Sequence, residues 1–222
     1  MRLISESMRA PIGAGRRAHR TEHVVEVLRE AIGVGRVAPG DRLVEGTIAA
    51  ELGTSRAPVR EALRELVHEG LVTHVPYRGA FVLGVSEEEV HEVMIPIRLT
   101  LERYAFARAL PRLRERELGW LERIVDEMED AAADGDLRSV VDADVRFHEV
   151  VLELSELPHT TQIWRSISPR MRVYFYRYDR DRDLFGVVEE HRNLHAALAS
   201  GRRRAVERVL EEHIRVPRLG GG

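Results

Sequence analysis

The chain has 222 residues, 44% of them hydrophobic and 32% charged, with a formal net charge of −3 at pH 7, which is enough to bury a core in one large or two modest domains. It contains no cysteine, which excludes disulfides, thiolate zinc sites and a cysteine nucleophile and makes a reducing cytoplasm the simplest home. Every basic residue is arginine, and residues 1 to 84 carry 12 Arg against 10 Asp and Glu (net +2) while the remainder is net −5, so charge alone does not establish a nucleic-acid partner.

The opening stretch, "MRLISESMRAPIGAGRRAHR", lacks the apolar core of about 7 to 15 residues of a signal peptide. Residues 1 to about 18 are expected to form a flexible tail, because their composition cannot bury enough apolar surface to offset ordering. Nothing later approaches the run of about 18 apolar residues of a membrane helix.

From there to residue 84 the pattern predicts a first domain. Val24, Val25, Val27, Leu28, Ala31 and Ile32 recur at helical spacing, giving a helix over 19–33 that ends near Gly33 and Gly35. "VAPGDRL" reads as a turn, followed by a short helix over about 46–52 closed by Gly53. A third helix begins with Ser55 as N-cap and Pro58 in its first turn, buries Val59, Ala62, Leu63, Leu66 and Val67, and stops at Gly70. "LVTHV" and "AFVLG" are strand-like and joined by "PYRG", as in a hairpin. Helix, helix, turn, helix and hairpin is the order of a winged helix-turn-helix.

From 85 to 218 the grammar is helical throughout. Ser86 and Glu89 offer a capping box, and Pro96 is expected to kink or split the first segment into about 87–95 and 97–109. Further amphipathic stretches follow at about 114–132, 137–154, 159–178, 184–199 and 202–215. The fold class is therefore mainly α: an N-terminal winged helix-turn-helix domain and a C-terminal antiparallel bundle of six or seven helices.

Arg56, Arg60 and Arg64 lie at i, i+4 and i+8 on the third helix, opposite its apolar face. The second helix of a helix-turn-helix presents such residues to the major groove, where Arg can donate two hydrogen bonds to guanine, and Thr54, Ser55 and the helix N-terminus can meet a phosphate. The alternative is a solvated face paired with Glu61 and Glu65. In the bundle, Asp144 and His148 stand at i, i+4, His191 and His195 repeat that spacing, and His213 comes from the last helix. Converging from different helices, such a set suits a divalent Zn, Ni, Mn or Fe ion. The alternative is ordinary helix histidines, solvent-facing or hydrogen-bonded in the core. Tyr174, Phe175 and Tyr176 read as core and interface.

"IAAELGTSRAPVREALRELVHEGLVTHVPYRGAFV" closely resembles the DNA-binding domain of the GntR family of bacterial transcription regulators, and the helical remainder resembles the ligand-binding (FCD) domain of its FadR-like subfamily. The resemblance covers about residues 20 to 216 and implies a cytoplasmic homodimer that binds double-stranded operator DNA and a small carboxylate effector. It makes Arg56 and Arg60 base or phosphate contacts and brings the wing tip, Arg78 and Gly79, towards the minor groove. The family often has a basic residue near the start of the second helix, where this chain reads "EGT", so Arg42 just before it is the substitute; Leu157 stands where an Asn commonly precedes the proline. Asp144, His148, His191 and His213 fall on the subfamily's metal positions, with His195 an extra ligand or effector-side residue. Arg98 matches an arginine that can reach a carboxylate effector, its alternative being a salt bridge to Glu102. A metal-dependent enzyme is the rival reading, with Glu149 its one candidate general base.

Overall fold

The computed structural model describes residues 17–178 and 183–215, and the chain divides into two compact units between Val85 and Ser86. The expected tail lies outside the described residues except for Arg17 and Ala18, which begin the first helix, and so do residues 216–218 at the far end of the second domain.

The first unit runs α1 (Arg17–Gly33), β1 (Arg42–Leu43), α2 (Glu45–Glu51), α3 (Arg56–His68), β2 (Val72–Val75) and β3 (Gly79–Val82). Val24, Leu28 and Ala31 of α1 meet Val59, Ala62 and Leu66 of α3 in a core from which water is excluded, which is what the two apolar stripes require. Arg29 fastens the pair by donating to both carboxylate oxygens of Glu69 at 3.2 and 2.5 Å. Gly53 and Gly70 take φ of +61° and +69°, so both helix ends turn where glycine permits the left-handed conformation.

Three details depart from the sequence reading. The stretch read as a turn contains strand β1, which pairs antiparallel with β3 in a sheet of order β1-β3-β2, Arg42 opposite Phe81 and Leu43 opposite Ala80. Two residues are too short for a period to announce a strand. Val67 is 38% exposed rather than part of the buried face. Ser55 occupies the N-cap position in an extended conformation, but its side chain makes no capping hydrogen bond.

The second unit is helical: α4 (Glu87–Glu89), a π-helical turn (Val90–Met94), α5 (Ile95–Ala109), α6 (Glu115–Ala133), α7 (Leu137–Leu154), α8 (Pro158–Tyr178), α9 (Leu184–Ala199) and α10 (Arg203–Ile214). Ser86 caps α4 by accepting from the Glu89 amide at 3.1 Å. The segment changes form next to Pro96, the π turn ending at Met94 and α5 beginning at Ile95 with the proline in its first turn. The π turn widens the backbone just ahead of it, which relieves the clash of the proline ring with the carbonyl four residues back and lets the helix continue. Helix α8 likewise runs through Pro169. Helix α7 packs against α5, α6 and α8, while α9 packs against α6 and α10. Phe106, Leu121, Met128, Phe147, Leu152 and Leu194 are fully buried between these helices. Tyr174, Phe175 and Tyr176 are buried as well, Tyr176 donating to Asp142 at 3.0 Å. Among the described residues no helix is long and apolar enough to cross a membrane.

Candidate functional sites

The arginine face of α3 is partly engaged by its own domain. Arg60 donates from Nε and Nη2 to the Glu45 carboxylate at 3.1 and 2.9 Å, and Arg64 donates to Glu61 at 2.9 Å. The sequence reading foresaw Glu61 but not Glu45, which α2 supplies from its first turn. Arg56 lies over Gly46, close enough that a Cβ there would stand 3.3 Å from its Nη2. All three arginines are exposed, while Thr54 is only half-buried and its hydroxyl has no hydrogen-bond partner.

Arg42 stands just ahead of α2, as expected, on strand β1 of the sheet. Its guanidinium runs beside Gly79, whose φ of +99° belongs to glycine. Arg78 lies over the Phe81 ring at 5.6 Å, and the neighbouring Tyr77 at the tip takes φ +61° and is fully exposed. A cleft of about 650 Å³ is lined by residues of α3 and the sheet, among them the buried Leu43, Leu63 and Ala80 and the exposed Arg42, Arg60 and Arg64. Charge spacing on one helix gave no sign of that cleft.

In the second unit the structure gathers the four predicted ligands. Asp144 and His148 from α7, His191 from α9 and His213 from α10 offer one atom each, all within 4.8 Å of one another and all buried. His191 Nε2 and His213 Nε2 lie 3.2 and 3.7 Å from Asp144 Oδ1, and the Nε2 atoms of His148 and His213 are 3.0 Å apart. Each outer nitrogen has an oxygen close by. His191 Nδ1 donates to the Val187 carbonyl at 2.8 Å and His213 Nδ1 to Glu190 at 3.1 Å, while His148 Nδ1 lies 2.6 Å from Glu102 Oε2 in a close charge contact. With these groups behind them, the three Nε2 atoms face one another and a carboxylate, His148 and His213 within hydrogen-bond distance of each other.

His191 Nε2 has no hydrogen-bond partner in its buried position, an orphaned polar atom that a cation would satisfy. An ion about 2.0 to 2.2 Å from each ligand would hold such atoms within about 4.4 Å of one another, so the donor set fits a divalent metal with only small shifts. Electrostatics agree. Burial raises the Asp144 carboxyl, but His191 and Arg98 outweigh it and hold the group well below its ordinary range. Burial pushes His148 and His213 down, His213 further because His191 and His148 crowd it, the direction that favours the neutral imidazole a metal would need.

Arg98 makes the salt bridge to Glu102 that was its alternative reading. Its Nε donates to Glu102 at 2.7 Å, and its Nη2, 3.9 Å from Asp144, has no hydrogen-bond partner although the residue is only 4% exposed. Glu102 was legible only as that salt-bridge partner. It is wholly buried and also accepts from Trp164 Nε1 at 2.6 Å; burial alone would raise its carboxyl, yet Arg98 and His148 hold it at about 2. A small cavity opens beside Arg98 and Asp144, bounded by Val145, Trp164, Ile167 and Met171.

Two candidates fall elsewhere. His195 lies one turn beyond His191 but meets α6, donating from Nε2 to the Leu118 carbonyl at 3.1 Å, and belongs to neither the cluster nor the cavity. Glu149, the general base of the enzyme reading, accepts from Arg165 at 2.6 Å on the outer side of α7.

Comparison with known proteins agrees with this division. Residues 20–82 match the model of bacterial regulatory proteins of the gntR family, and residues 93–216 match the FCD domain. The chain is 27% identical over 214 residues to the HTH-type transcriptional regulator McbR of Escherichia coli K12, spanning 92% of this chain and 96% of that one. It is 30% identical over 183 residues to the probable D-xylose utilization operon transcriptional repressor of Paenarthrobacter nicotinovorans, spanning 82% and 80%. The E. coli McbR/YncC structure superposes with a TM-score of 0.73 at 26% identity, covering 88% of this chain and 93% of that one. A winged helix-turn-helix followed by an FCD bundle, in the company of transcriptional regulators and not of enzymes, places the chain in the GntR family of bacterial DNA-binding transcription regulators.

Proposed function

We propose that this regulator binds a palindromic operator as a homodimer and senses a small carboxylate through a metal held in its helical unit. The observation that carries the sensing half is the convergence of three Nε2 atoms and one carboxylate, each imidazole turned inwards by an acceptor behind it. Asp144, His148, His191 and His213 would hold the ion, with Zn, Ni, Mn and Fe the metals suited to the set. Bound there, the ion supplies a Lewis acid that attracts an anionic oxygen. Arg98 contributes the second anchor, its orphaned Nη2 being a donor that a carboxylate would satisfy.

On the DNA side, Arg56 and Arg60 serve as base contacts, Thr54 and Ser55 as phosphate contacts at the head of α3, and Arg42, Arg78 and Gly79 as the wing's contribution. One recognition helix reads only a few base pairs, so a dimer on an inverted repeat supplies the needed length. Effector binding then shifts the population between DNA-competent and DNA-incompetent dimers by as much as it prefers one of them. Selection of bound sites from random duplexes tests the operator half: an inverted repeat with half-sites about one helical turn apart is expected, and a single asymmetric site would contradict it.

Arg60 must leave Glu45 to reach DNA. Glu45→Gln is therefore expected to raise affinity for random duplex about two- to fivefold, the value of an exposed ion pair. Fluorescence anisotropy checks this, and the gain should vanish in an Arg60→Ala background; a gain that persists there would mean simple removal of repulsion.

A further inference from the structure

The cavity beside Arg98 and Asp144 is polar at one end only. Val145, Ile167, Met171 and Phe175 make apolar walls, joined by Trp164. The indole N–H is already given to Glu102 at 2.6 Å, and the Ser168 hydroxyl leans back to the Arg165 carbonyl of its own helix at 3.5 Å. What remains for a ligand is Arg98 Nη2, which has no hydrogen-bond partner although it lies 3.9 Å from Asp144 and its residue is 4% exposed, the edge at Asp144, and the weakly held Ser168 hydroxyl.

Resting on the reading of this cavity as the effector pocket, we propose that the effector is a small monocarboxylate with an apolar tail, aromatic or branched, and not a polyhydroxylated or dicarboxylic acid. The carboxylate meets Arg98 at the polar end and the tail lies along Trp164, Ile167 and Phe175, where aromatic faces add to simple area burial. A polyol chain in the same place would carry several hydroxyls with only the Ser168 hydroxyl to meet them, and each buried hydroxyl left unpaired costs about tenfold in affinity. A second carboxylate would be buried against Ile167 and Phe175 with no counter-charge. The free space is about 10 Å³, room for about one water, so any ligand must displace a wall. Met171 is the wall that can yield, an unbranched thioether that repacks readily.

The chain has two tryptophans, Trp164 in the pocket and Trp120 exposed beneath Arg116, so a Trp120→Phe protein reports on the pocket by fluorescence alone. Full-length protein incubated with ZnCl₂ and desalted is titrated with 3-phenylpropionate, isovalerate, gluconate and succinate, with calorimetry in parallel. The two apolar acids are expected to change Trp164 emission and to bind at least about tenfold tighter than gluconate or succinate. Met171→Ala should shift preference from isovalerate towards 3-phenylpropionate by about tenfold, as expected for several methylenes of new room. Gluconate or succinate binding as tightly as the apolar acids, with the same change in Trp164 emission, would overturn the apolar class and leave the pocket as effector site. Absence of heat and of emission change with all four acids, in protein that still binds operator, would overturn the pocket and this inference with it.

Discussion

Replacing His148 and His213 together by alanine is expected to abolish divalent metal in the purified protein, from about one ion per chain to a trace by elemental analysis. These two residues come from α7 and α10, so their loss removes half of the ligand set and the bridge between two helices. An ion that binds only the folded state stabilises it by about 4 kcal/mol when present at about a thousandfold over its dissociation constant. Chelation should therefore lower the melting temperature of the wild-type protein by several degrees and leave that of the double variant unmoved. Glu102→Gln, which weakens the contact behind His148 while sparing the four ligands, should reduce metal affinity by about 10- to 100-fold. Wild-type protein that remains metal-free after incubation with Zn, Ni and Mn would remove the metal from the account and leave the His148–His213 contact as a simple hydrogen bond.

Arg56→Ala is the change expected to weaken operator binding most, by about 1 to 3 kcal/mol per half-site, the value of a bidentate base contact. In a symmetric dimer both half-sites lose it, so the total approaches about 2 to 6 kcal/mol, which an anisotropy titration at fixed salt resolves easily. Arg60→Ala should cost less than Arg56→Ala by up to about 1 kcal/mol, because the wild-type side chain must first give up its exposed pair with Glu45 whereas Arg56 only lies over Gly46. Neither substitution touches the core formed by Val59, Ala62 and Leu66, so unfolding curves should be unchanged. Equal affinity of both variants and wild type for a mapped operator would remove α3 from the DNA interface.

The helical parts of the fold were legible because their apolar residues recur over many turns. The bounds expected for α7 and α9, 137–154 and 184–199, are those found. What escaped lacks a period. Strand β1 is two residues long and exists because β3 offers it an edge, and the π turn before Pro96 is a backbone response to one proline ring. The ligand set was readable for a related reason: Asp144 and His148 share a helix face at i, i+4, and His191 and His213 are the histidines on the inward faces of α9 and α10. His195 shows the limit of spacing as evidence. It stands at i+4 from His191, yet the small offset of successive turns is enough to carry it from the cluster to the Leu118 carbonyl on α6. Glu102 and Glu45 were missed as organisers because each acts across helices, on His148 and Arg60, and no interval in the sequence encodes that meeting.

The coupling of the two units is tested most directly by operator binding of metal-loaded wild-type and Arg98→Ala proteins, titrated with the acid that binds most tightly. Without acid the two proteins should bind operator alike, since Arg98 lies in the helical unit and α3 in the other. With acid, wild-type affinity for the operator should change by about 5- to 150-fold, the usual span of an allosteric coupling, and the Arg98→Ala protein should show no change at the same concentration. An equal response in both proteins, or none in the wild type at saturating acid, would contradict a carboxylate sensor built on Arg98 and the Asp144, His148, His191, His213 site.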